Sequence, residues 1–322
     1  LQNLPTTMSI LEPTDEQKQG YLARIPMSEV FGDNILPGVV CTSEKILSLK
    51  DFPLDDNDVI IVSYPKSGTT WASELVSAIA HEGDIESIKQ IRMDERVPWL
   101  ELDDKNLPEG SPLHSSRRGK ACPSAKKRVW FTHLHPEYLP LAAKQGKCKV
   151  IYVGRNPKDT AVSFYHFHLM AKFLGLQTSM TWNEFFPLFT SGFLCSGNWF
   201  KHATSYWKFC QENPKTARFL KFEEMKKDLM AEMVSLENFI GIPLSEDQRV
   251  KVVEHCSFGS MKSNKATNRV GVEMFEEKIS SFMRKGIVGD WKNYFTVAQN
   301  EAFNELYKQK VAGTGLHFEG LE

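Results

Sequence analysis

Two stretches of this 322-residue chain place a run of apolar, β-branched residues directly before a polar turn and a helical pattern. The first is DVIIVS at Asp58–Ser63, and such an unbroken run is typical of a strand buried on both faces of a sheet. After the turn YPKSGTT, apolar residues recur at helical spacing from Trp71 to Ile79, and Gly83 closes the pattern. A strand, a turn and a helix in this order form the repeating unit of parallel α/β folds.

The second unit has its strand at Val150–Val153 and its helix from Asp159 onward, and two shorter strands are predicted at Arg128–Thr132 and Ala217–Phe222. We therefore predict an α/β fold with one globular domain, a central parallel sheet and helices on both of its faces. In such sheets ligands bind at the carboxyl ends of the strands, where the two polar turns fall. The functional site is expected at that edge.

Bulk properties restrict the classes of partner. The formal net charge is −1 at pH 7, which argues against a nucleic-acid partner, and no apolar run approaches the roughly 18 residues of a membrane span. The six cysteines are scattered without a C-x-x-C pair, which favours reduced thiols in the cytoplasm over a disulfide scaffold or a metal site. The sequence does not decide whether residues 1–7 are native.

The strand and helix pattern fails between Asp103 and Lys127, where glycine, proline, serine and charged residues dominate. We interpret this segment as a mobile loop within the domain, because the predicted sheet is not yet complete at that point. We expect the basic residues of this loop to face solvent rather than to guide ligands into a site. They are Arg117, Arg118, Lys120, Lys126 and Lys127.

The turn after the first strand has the composition of a phosphate-binding, P-loop-like turn. Gly68 lets the backbone approach a ligand closely, and the unpaired amides of Gly68, Thr69 and Thr70 at a helix start favour a phosphate. Lys66, however, precedes the glycine, whereas the lysine of a Walker A loop follows it. This order, together with the lack of an obvious magnesium-binding aspartate, disfavours a P-loop kinase.

Two further segments add candidate anion ligands. RNPKDTAVS places Arg155 at a strand end and Ser163 inside the next helix, so a guanidinium and a hydroxyl can meet a second phosphate. Near the C-terminus, Arg284 and Lys285 precede Gly286 in another loop suited to an anion. Each element alone fits an ordinary surface salt bridge, but three of them on one chain indicate a shared anionic ligand.

Three segments, YPKSGTTW, RNPKDTAVSFYHF and RKGIVGDWKNYFTVAQNE, closely resemble the signature segments of the cytosolic sulfotransferases. The resemblance runs in register from about Asp58 to His317. It implies that the chain takes 3′-phosphoadenosine 5′-phosphosulfate (PAPS) as sulfuryl donor, without a metal, and releases 3′-phosphoadenosine 5′-phosphate (PAP). It also implies a small-molecule acceptor, a sulfotransferase domain over residues 58–322, and an N-terminal segment, residues 1–57, that packs on the acceptor side.

The resemblance assigns catalytic roles to three residues. Lys66 resembles the lysine that stabilises the leaving phosphate, and Ser163 is carried over as a further catalytic candidate. His133, in FTHLHPEYLP, falls where the family keeps its catalytic histidine. A neutral imidazole suits deprotonation of an attacking hydroxyl or amine, since its ordinary pKa is about 6.5.

The resemblance also implies a set of donor-binding residues. Within this set, Arg155 and Ser163 match the pair on the 3′-phosphate, and residues 284–286 match its third contact. Trp71 and Phe258 resemble the two aromatic residues that sandwich the adenine. The whole set is Lys66, Ser67, Gly68, Thr69, Thr70, Trp71, Arg155, Ser163, Phe222, Cys256, Phe258, Met261, Arg284, Lys285 and Gly286.

Two positions depart from the family's pattern. Phe131 stands where the family has a lysine that helps to stabilise the transferring group, and this makes the pocket more apolar. Phe222 replaces a tyrosine beside the adenine, which removes a hydrogen bond worth about 0.5–1.5 kcal/mol.

RVPWLE, Arg96–Glu101, resembles the lid segment that covers the acceptor, and Trp99 would be its aromatic wall. Phe131 and Phe167 would complete an apolar slot beside His133. A flat aromatic pocket fits a phenol or an aryl amine better than a sugar, which needs many polar partners. The sequence leaves open whether the acceptor is a phenol, a catecholamine, a sterol or a retinoid.

Two alternatives share this fold. One is a PAPS-dependent dehydratase, in which a sulfated alcohol eliminates sulfate, and only analysis of the product separates it from a transferase. The other is a protein that binds PAPS without turnover. Phe131 keeps that alternative open, whereas the presence of Lys66, His133 and Ser163 argues against it.

The segment KNYFTVAQNE, Lys292 to Glu301, resembles the one through which many family members form homodimers. A two-fold axis would set Lys292 against Glu301 of a second copy, with Val297 packed at the centre. The alternative interpretation is a helix start that Thr296 caps, with its charges in solvent.

Overall fold

The computed structural model describes residues 10–105, 107, 125–175 and 177–321. Residues 1–7 and three basic residues of the predicted loop, Arg117, Arg118 and Lys120, lie outside the described residues. None of the helices formed by the described residues is long and apolar enough to cross a membrane.

The described part of the N-terminal region begins with a helix and a hairpin. Helix α1, Asp15–Arg24, starts at a reciprocal cap between Thr14 and Gln17. An antiparallel hairpin follows, formed by β1, Ser28–Phe31, and β2, Asn34–Pro37. All four residues of β2 are buried, so the hairpin packs against the rest of the domain.

The central sheet has four parallel strands, which are β3, Asp58–Ser63; β4, Arg128–Thr132; β5, Lys149–Gly154; and β6, Ala217–Lys221. Their order across the sheet is β4, β3, β5, β6. The register places Ile61 of β3 between Phe131 of β4 and Ile151 of β5. The prediction of a parallel sheet at these four places is confirmed. Phe222, predicted as the last residue of a strand, instead begins a helix.

Helices cover both faces of this sheet. After α1, the α-helices of the described residues are α2, Ser43–Ser48; α3, Thr69–Ala80; α4, Ile85–Lys89; α5, Met93–Arg96; α6, Leu141–Lys144; α7, Pro157–Met170; α8, Trp182–Ser191; α9, Trp199–Glu212; α10, Phe222–Lys227; α11, Leu229–Ile240; α12, Glu246–His255; α13, Phe258–Ser263; and α14, Val297–Val311. Short 3₁₀ turns lie at Leu49–Asp51, Pro136–Tyr138, Lys172–Leu174 and Asp290–Asn293.

Alternate residues of β3 enter two separate hydrophobic cores, because successive side chains of a strand point to opposite faces. Ile60 and Val62 belong to the core that α7, α8, α9 and α14 cover. Val59 and Ile61 belong to the core under α3, α11 and α12. All four side chains are fully buried, and each such burial stabilises the fold by about 1.5–3 kcal/mol. The prediction of helices on both faces is confirmed.

The chain reverses its direction across the sheet at β3, since β4 lies on one side of it and β5 on the other. Open α/β sheets bind ligands beside such a reversal, at the carboxyl ends of the strands. The segments that follow the four strands therefore start at one common edge, where the predicted site residues lie.

Candidate active site

One cavity of about 260 Å³ opens at the carboxyl edge of the sheet. Each of the four strands sends a residue from just beyond its end into the cavity wall. These are Lys66 after β3, His133 after β4, Arg155 after β5 and Phe222 after β6. Four segments that are far apart in the sequence thus meet because their strands are neighbours in the sheet.

Most of the residues predicted for the site line this cavity. Of the described residues predicted to bind the donor, Ser67 and Cys256 do not line it. Ser67 is buried in the turn, and its amide donates to the carbonyl of Tyr64 over 3.2 Å. Cys256 is buried too, and its carbonyl accepts the indole N–H of Trp71 at 2.8 Å. Those that line it are Lys66, Gly68, Thr69, Thr70, Trp71, Trp99, Phe131, His133, Arg155, Ser163, Phe167, Phe222, Phe258, Met261, Arg284, Lys285 and Gly286.

The turn between β3 and α3 has an unusual backbone. Lys66 has a φ of 67° and Gly68 a φ of 110°, and Gly68 is the N-cap of α3. A Cβ at Gly68 would lie 2.9 Å from the ring of Phe222, so the position requires glycine for space as well as for backbone conformation. The amides of the first turn of α3 have no intrahelical acceptor and carry the positive end of the helix dipole. This geometry suits an anion.

The ammonium of Lys66 lies between two aromatic rings, 4.6 Å from the centroid of Phe167 and 4.2 Å from that of Phe282. Burial, foremost, lowers the pKa of Lys66 to about 7, and neighbouring cations lower it further. Within the described part of the chain, the charged groups that act on this ammonium are all cations, namely Arg269, Arg155 and Arg284. An anionic ligand would supply the negative charge that this side chain lacks.

The hydrogen bonds of His133 define which of its ring nitrogens is basic. Nδ1 lies 2.8 Å from the carbonyl oxygen of Ser63, and because a carbonyl can only accept, Nδ1 carries the proton. Nε2 is then the unprotonated nitrogen. The backbone amide of His133 donates to Glu101 Oε1 over 2.7 Å, which fixes the position of the residue.

The imidazole of His133 stays neutral well below pH 7. Burial, foremost, lowers its pKa to about 4, the hydrogen bond to Ser63 opposes this shift, and the charges of Arg269 and Lys66 add to it. A neutral imidazole with a free Nε2 in a cavity wall has the form that a general base requires.

Arg155 supplies a second anion-binding position. Its guanidinium donates to the carbonyls of Lys66 and Ile287 over 3.2 and 3.1 Å, and it lies 4.4 Å from the ring centroid of Phe222. Its Nε is buried and has no hydrogen-bond partner within the described residues. Ser163 reaches the same cavity from α7. The guanidinium is therefore held in place while one of its donors remains unused.

The C-terminal loop that carries Arg284 and Lys285 is held by the buried carboxylate of Asp290. Arg284 Nη2 and Lys285 Nζ each lie 2.6 Å from one of its oxygens. Burial of Asp290 raises its pKa, but the hydrogen bonds from Lys285 and Arg284 outweigh this effect and bring the value to about 2. Arg284 and Lys285, both predicted to bind an anion, are thus already paired with a carboxylate. Lys66 has no such partner among the described residues.

Asp159 docks the same loop against α7. Its carboxylate accepts the amides of Gly289 and Trp291 over 2.7 and 3.0 Å. Gly286 has a φ of 62°, and a Cβ there would lie 2.3 Å from the ring of Phe258. The loop is therefore in close contact with one of the two rings predicted to sandwich the adenine.

The acceptor part of the cavity is aromatic. Trp99 and Phe131 stack with an interplanar angle of 14° and a centroid distance of 5.9 Å, and the ring of Phe131 lies 5.7 Å from that of His133. The lid segment joins β4 through a backbone hydrogen bond of 2.8 Å from Leu100 to the carbonyl of Phe131. Phe167 lies 5.6 Å from Phe275. The three aromatic residues predicted to form an acceptor slot thus line the same cavity as His133, and the slot itself stays a prediction.

Sequence reasoning gave no role to several residues that line the cavity. Glu101 is 2% exposed, and burial raises the pKa of its carboxyl. Glu101 is the last residue of RVPWLE, and an acidic residue directly after apolar ones is the sequence feature that could have identified it as a buried carboxyl. Arg269 stands in NRVG, which belongs to no recognised motif, so no local signal identified it. The N-terminal region also contributes Asn34, Ile35, Leu36, Pro37, Cys41 and Ile46.

The described residues contain no cluster of three or more His, Cys, Asp or Glu side chains that could hold a metal ion.

Comparison with known proteins identifies close relatives over nearly the whole chain. The model of the sulfotransferase domain family matches residues 56–315. Human sulfotransferase 1C2 is 38% identical over 92% of this chain and 96% of its own length. The crystal structure of mouse sulfotransferase SULT7A1 complexed with PAP has a TM-score of 0.68 and 32% identity, covering 89% of this chain and 95% of that one. A retinol dehydratase in complex with androsterone and PAP has a TM-score of 0.80 but 23% identity, covering 96% and 97%, and shows the fold alone.

Proposed function

The chain belongs to the sulfotransferase family, and we propose that it transfers a sulfuryl group from PAPS to a hydroxyl or amine of a small, apolar or aromatic acceptor. The observation that carries the proposal is the pairing of Lys66 and His133 in one cavity. Lys66 is a cation without an acidic partner among the described residues, and His133 is a neutral base with a free Nε2.

The cavity fits a ligand with two phosphates. The amides at the start of α3, together with the ammonium of Lys66, would hold the 5′-phosphate. Arg155, whose buried Nε has no partner among the described residues, and Ser163 would hold the 3′-phosphate. Arg284, Lys285 and Gly286 would complete the 3′ site from the C-terminal loop, and Trp71 and Phe258 would sandwich the adenine. That mouse SULT7A1 is complexed with PAP supports this assignment.

PAPS held by these residues would supply the sulfuryl group, which would pass to the acceptor oxygen or nitrogen, and PAP would be the leaving group and keep the electron pair of the broken bond. His133 Nε2 takes the proton of the attacking group, and the hydrogen bond from Nδ1 to Ser63 keeps the ring in the tautomer that can do so. The ammonium of Lys66 stabilises the negative charge that builds on the leaving oxygen.

We infer the acceptor class from the composition of the cavity wall. The rings of Trp99, Phe131 and Phe167 line the same cavity as His133, and Trp99 and Phe131 stack on each other. A phenol or an aryl amine can bury its ring there without leaving polar groups unpaired, whereas a sugar cannot. Residues 1–57 would close the acceptor side, as the lining residues of β2 support.

A homodimer through Lys292, Thr296, Val297 and Glu301 is a further part of this proposal. All four side chains are exposed, and Val297 is 74% exposed. A patch of this size would bury less than the usual range of about 1,200–2,000 Å², so we expect the dimer to depend on concentration.

The proposed function is tested by incubating the protein with ³⁵S-labelled PAPS and a panel of phenols, catecholamines, sterols and retinoids. The expected product is a labelled sulfate ester whose mass exceeds that of the acceptor by one SO₃ group. An unlabelled product that has lost water would identify a dehydratase. Tight binding of PAP with no product from any acceptor would identify a protein without turnover.

A further inference from the structure

Arg269 is a cation of the cavity wall that the proposed function leaves without a role. It lies in the segment between α13 and the C-terminal loop, and its side chain is 11% exposed. The guanidinium carbon lies 5.7 Å from the ring centroid of Phe131 and 5.2 Å from that of Phe282. It is thus in contact with rings on the acceptor side of the cavity.

The same two rings connect Arg269 with both catalytic groups. The ring of Phe282 also contacts the ammonium of Lys66, at 4.2 Å. The ring of Phe131 also contacts the imidazole of His133, at 5.7 Å. Arg269 is also the first of the charged neighbours that lower the pKa of Lys66 and of His133. The positive charge of Arg269 therefore acts on both His133, the proposed base, and Lys66, the proposed partner of the leaving group.

The guanidinium is held beside the rings of Phe131 and Phe282 and keeps a free donor. Arg269 Nη2 lies 3.1 Å from Asp94 Oδ1, in α5, so the two side chains form an ion pair whose charge attraction restrains the guanidinium. Its Nε is buried without a hydrogen-bond partner within the described residues. Because Asp94 also pairs with Arg92 over 3.4 Å, removal of Arg269 would not leave this carboxylate without a partner.

We propose that Arg269 is a further catalytic residue, whose guanidinium contacts the non-bridging oxygens of the sulfuryl group while it passes from donor to acceptor. The inference rests on the proposed function. During the transfer, the bond from sulfur to the bridging oxygen breaks, with its electron pair left on PAP, and the bond to the acceptor forms. The acceptor proton goes to His133 Nε2. The three other sulfuryl oxygens would keep negative charge throughout, and the guanidinium of Arg269, which contacts the rings beside both Lys66 and His133, would stabilise that charge.

The test compares Arg269→Ala with Arg92→Ala. The control variant removes Arg92, the other arginine that pairs with Asp94. Unlike Arg269, Arg92 does not line the cavity. We expect kcat to fall by about 10²–10³-fold for Arg269→Ala, as when a donor to a developing charge is removed, and to stay near the wild-type value for Arg92→Ala. Arg269→Gln serves in place of the alanine variant if that variant does not fold.

Two further measurements separate catalysis from structure. Arg269→Ala is expected to bind PAP as the wild type does but to lose affinity for PAPS, because PAP lacks the sulfuryl group. In the double variant Phe131→Lys/Arg269→Ala, an ammonium beside His133 is expected to restore part of the lost rate. The rescue would not follow from a merely structural role.

An unchanged kcat with a raised KM for the acceptor would overturn the proposal, because Arg269 would then bind the acceptor. Equal losses of PAP and PAPS affinity would overturn it as well, since the role would then be structural. If the wild type transfers no sulfuryl group, the proposed function fails, and the PAPS and PAP affinities still test whether Arg269 recognises the sulfuryl group.

Discussion

At the scale of single residues, burial shifts the pKa values of the two groups that we propose to be catalytic in directions that suit their roles. It lowers the pKa of His133 to about 4, so the base is neutral at physiological pH. It also lowers the pKa of Lys66 to about 7, so the ammonium is easily lost in the free protein and is stabilised when an anion binds. One desolvated cavity thus prepares a base and an anion-dependent cation.

These two values predict the pH dependence of kcat/KM for PAPS, which reports groups of the free enzyme. The active form needs neutral His133 and charged Lys66. We expect kcat/KM to fall below about pH 4, where His133 gains a proton, and above about pH 7, where Lys66 loses one. The measurement is a series of initial rates at low PAPS concentration across this range.

The pH profile of kcat provides the internal control for this prediction. In the complex, the phosphate charge raises the pKa of Lys66, so the alkaline limb of kcat is expected to shift to higher pH. In Lys66→Met, the alkaline limb of kcat/KM should disappear, although the residual rate is low. An alkaline limb near pH 7 that persists in this variant would show that another group is responsible.

At the scale of elements, the loop between Arg284 and Trp291 is the part of the site that two buried carboxylates hold in place. Asp290 and Asp159 hold it from two sides, and Gly286 lies directly against the ring of Phe258. The conformation of this loop therefore determines the position of Phe258, one of the two rings predicted to sandwich the adenine.

Gly286→Ala tests this coupling, and Gly289→Ala is its matched control. Both glycines have positive φ, so alanine at either one costs about 1–2 kcal/mol in backbone strain. A Cβ at Gly286 would also displace Phe258, whereas a Cβ at Gly289 meets nothing within 4 Å. We expect both variants to lose thermal stability but Gly286→Ala to lose far more affinity for PAP in calorimetry. Equal affinities would show that the position of Phe258 does not matter.

The sequence predicted the elements better than it predicted the contacts between them. The strand at Asp58–Ser63 and the helix start at Gly68 follow from local patterns, the unbroken apolar run and the glycine turn, and both are present. Arg269 and Glu101 line the same cavity as His133 only because the segment after α5, the end of β4 and the segment after α13 come together there. Such contacts depend on long-range packing, and no local pattern encodes them. The sequence pattern assigns Phe222 to the strand β6, whereas it is the first residue of helix α10. A single buried aromatic residue fits a strand pattern as well as a helix pattern.

At the scale of the whole molecule, the start of α14 offers a surface for a second copy. Thr296 caps this helix in a reciprocal arrangement with Gln299, so the cap of the alternative interpretation is present. The same geometry leaves Val297 74% exposed, the highest exposed fraction among the large hydrophobic side chains of the described residues. A cap and a dimer contact can coexist, and the homodimer remains a prediction.

Val297→Glu is expected to convert a dimer to a monomer, since it would place two carboxylates together on the two-fold axis. Light scattering at several concentrations measures the change, and sulfuryl transfer should be largely unaffected. The control is Val250→Glu, at an exposed valine of α12 outside the segment, which should leave the dimer intact. A wild-type protein that stays monomeric at all concentrations would refute the predicted interface.

The proposed role of His133 is tested most directly by the rate of sulfate ester formation from labelled PAPS and a phenol, measured for the wild type and for His133→Ala. We expect a labelled ester from the wild type and a rate about 10²–10⁴-fold lower for the variant, because a general base is lost. Affinity for PAP should be nearly unchanged, since His133 acts on the acceptor. Equal rates in the two proteins, at equal PAP affinity, would contradict the central claim that His133 is the base of this reaction.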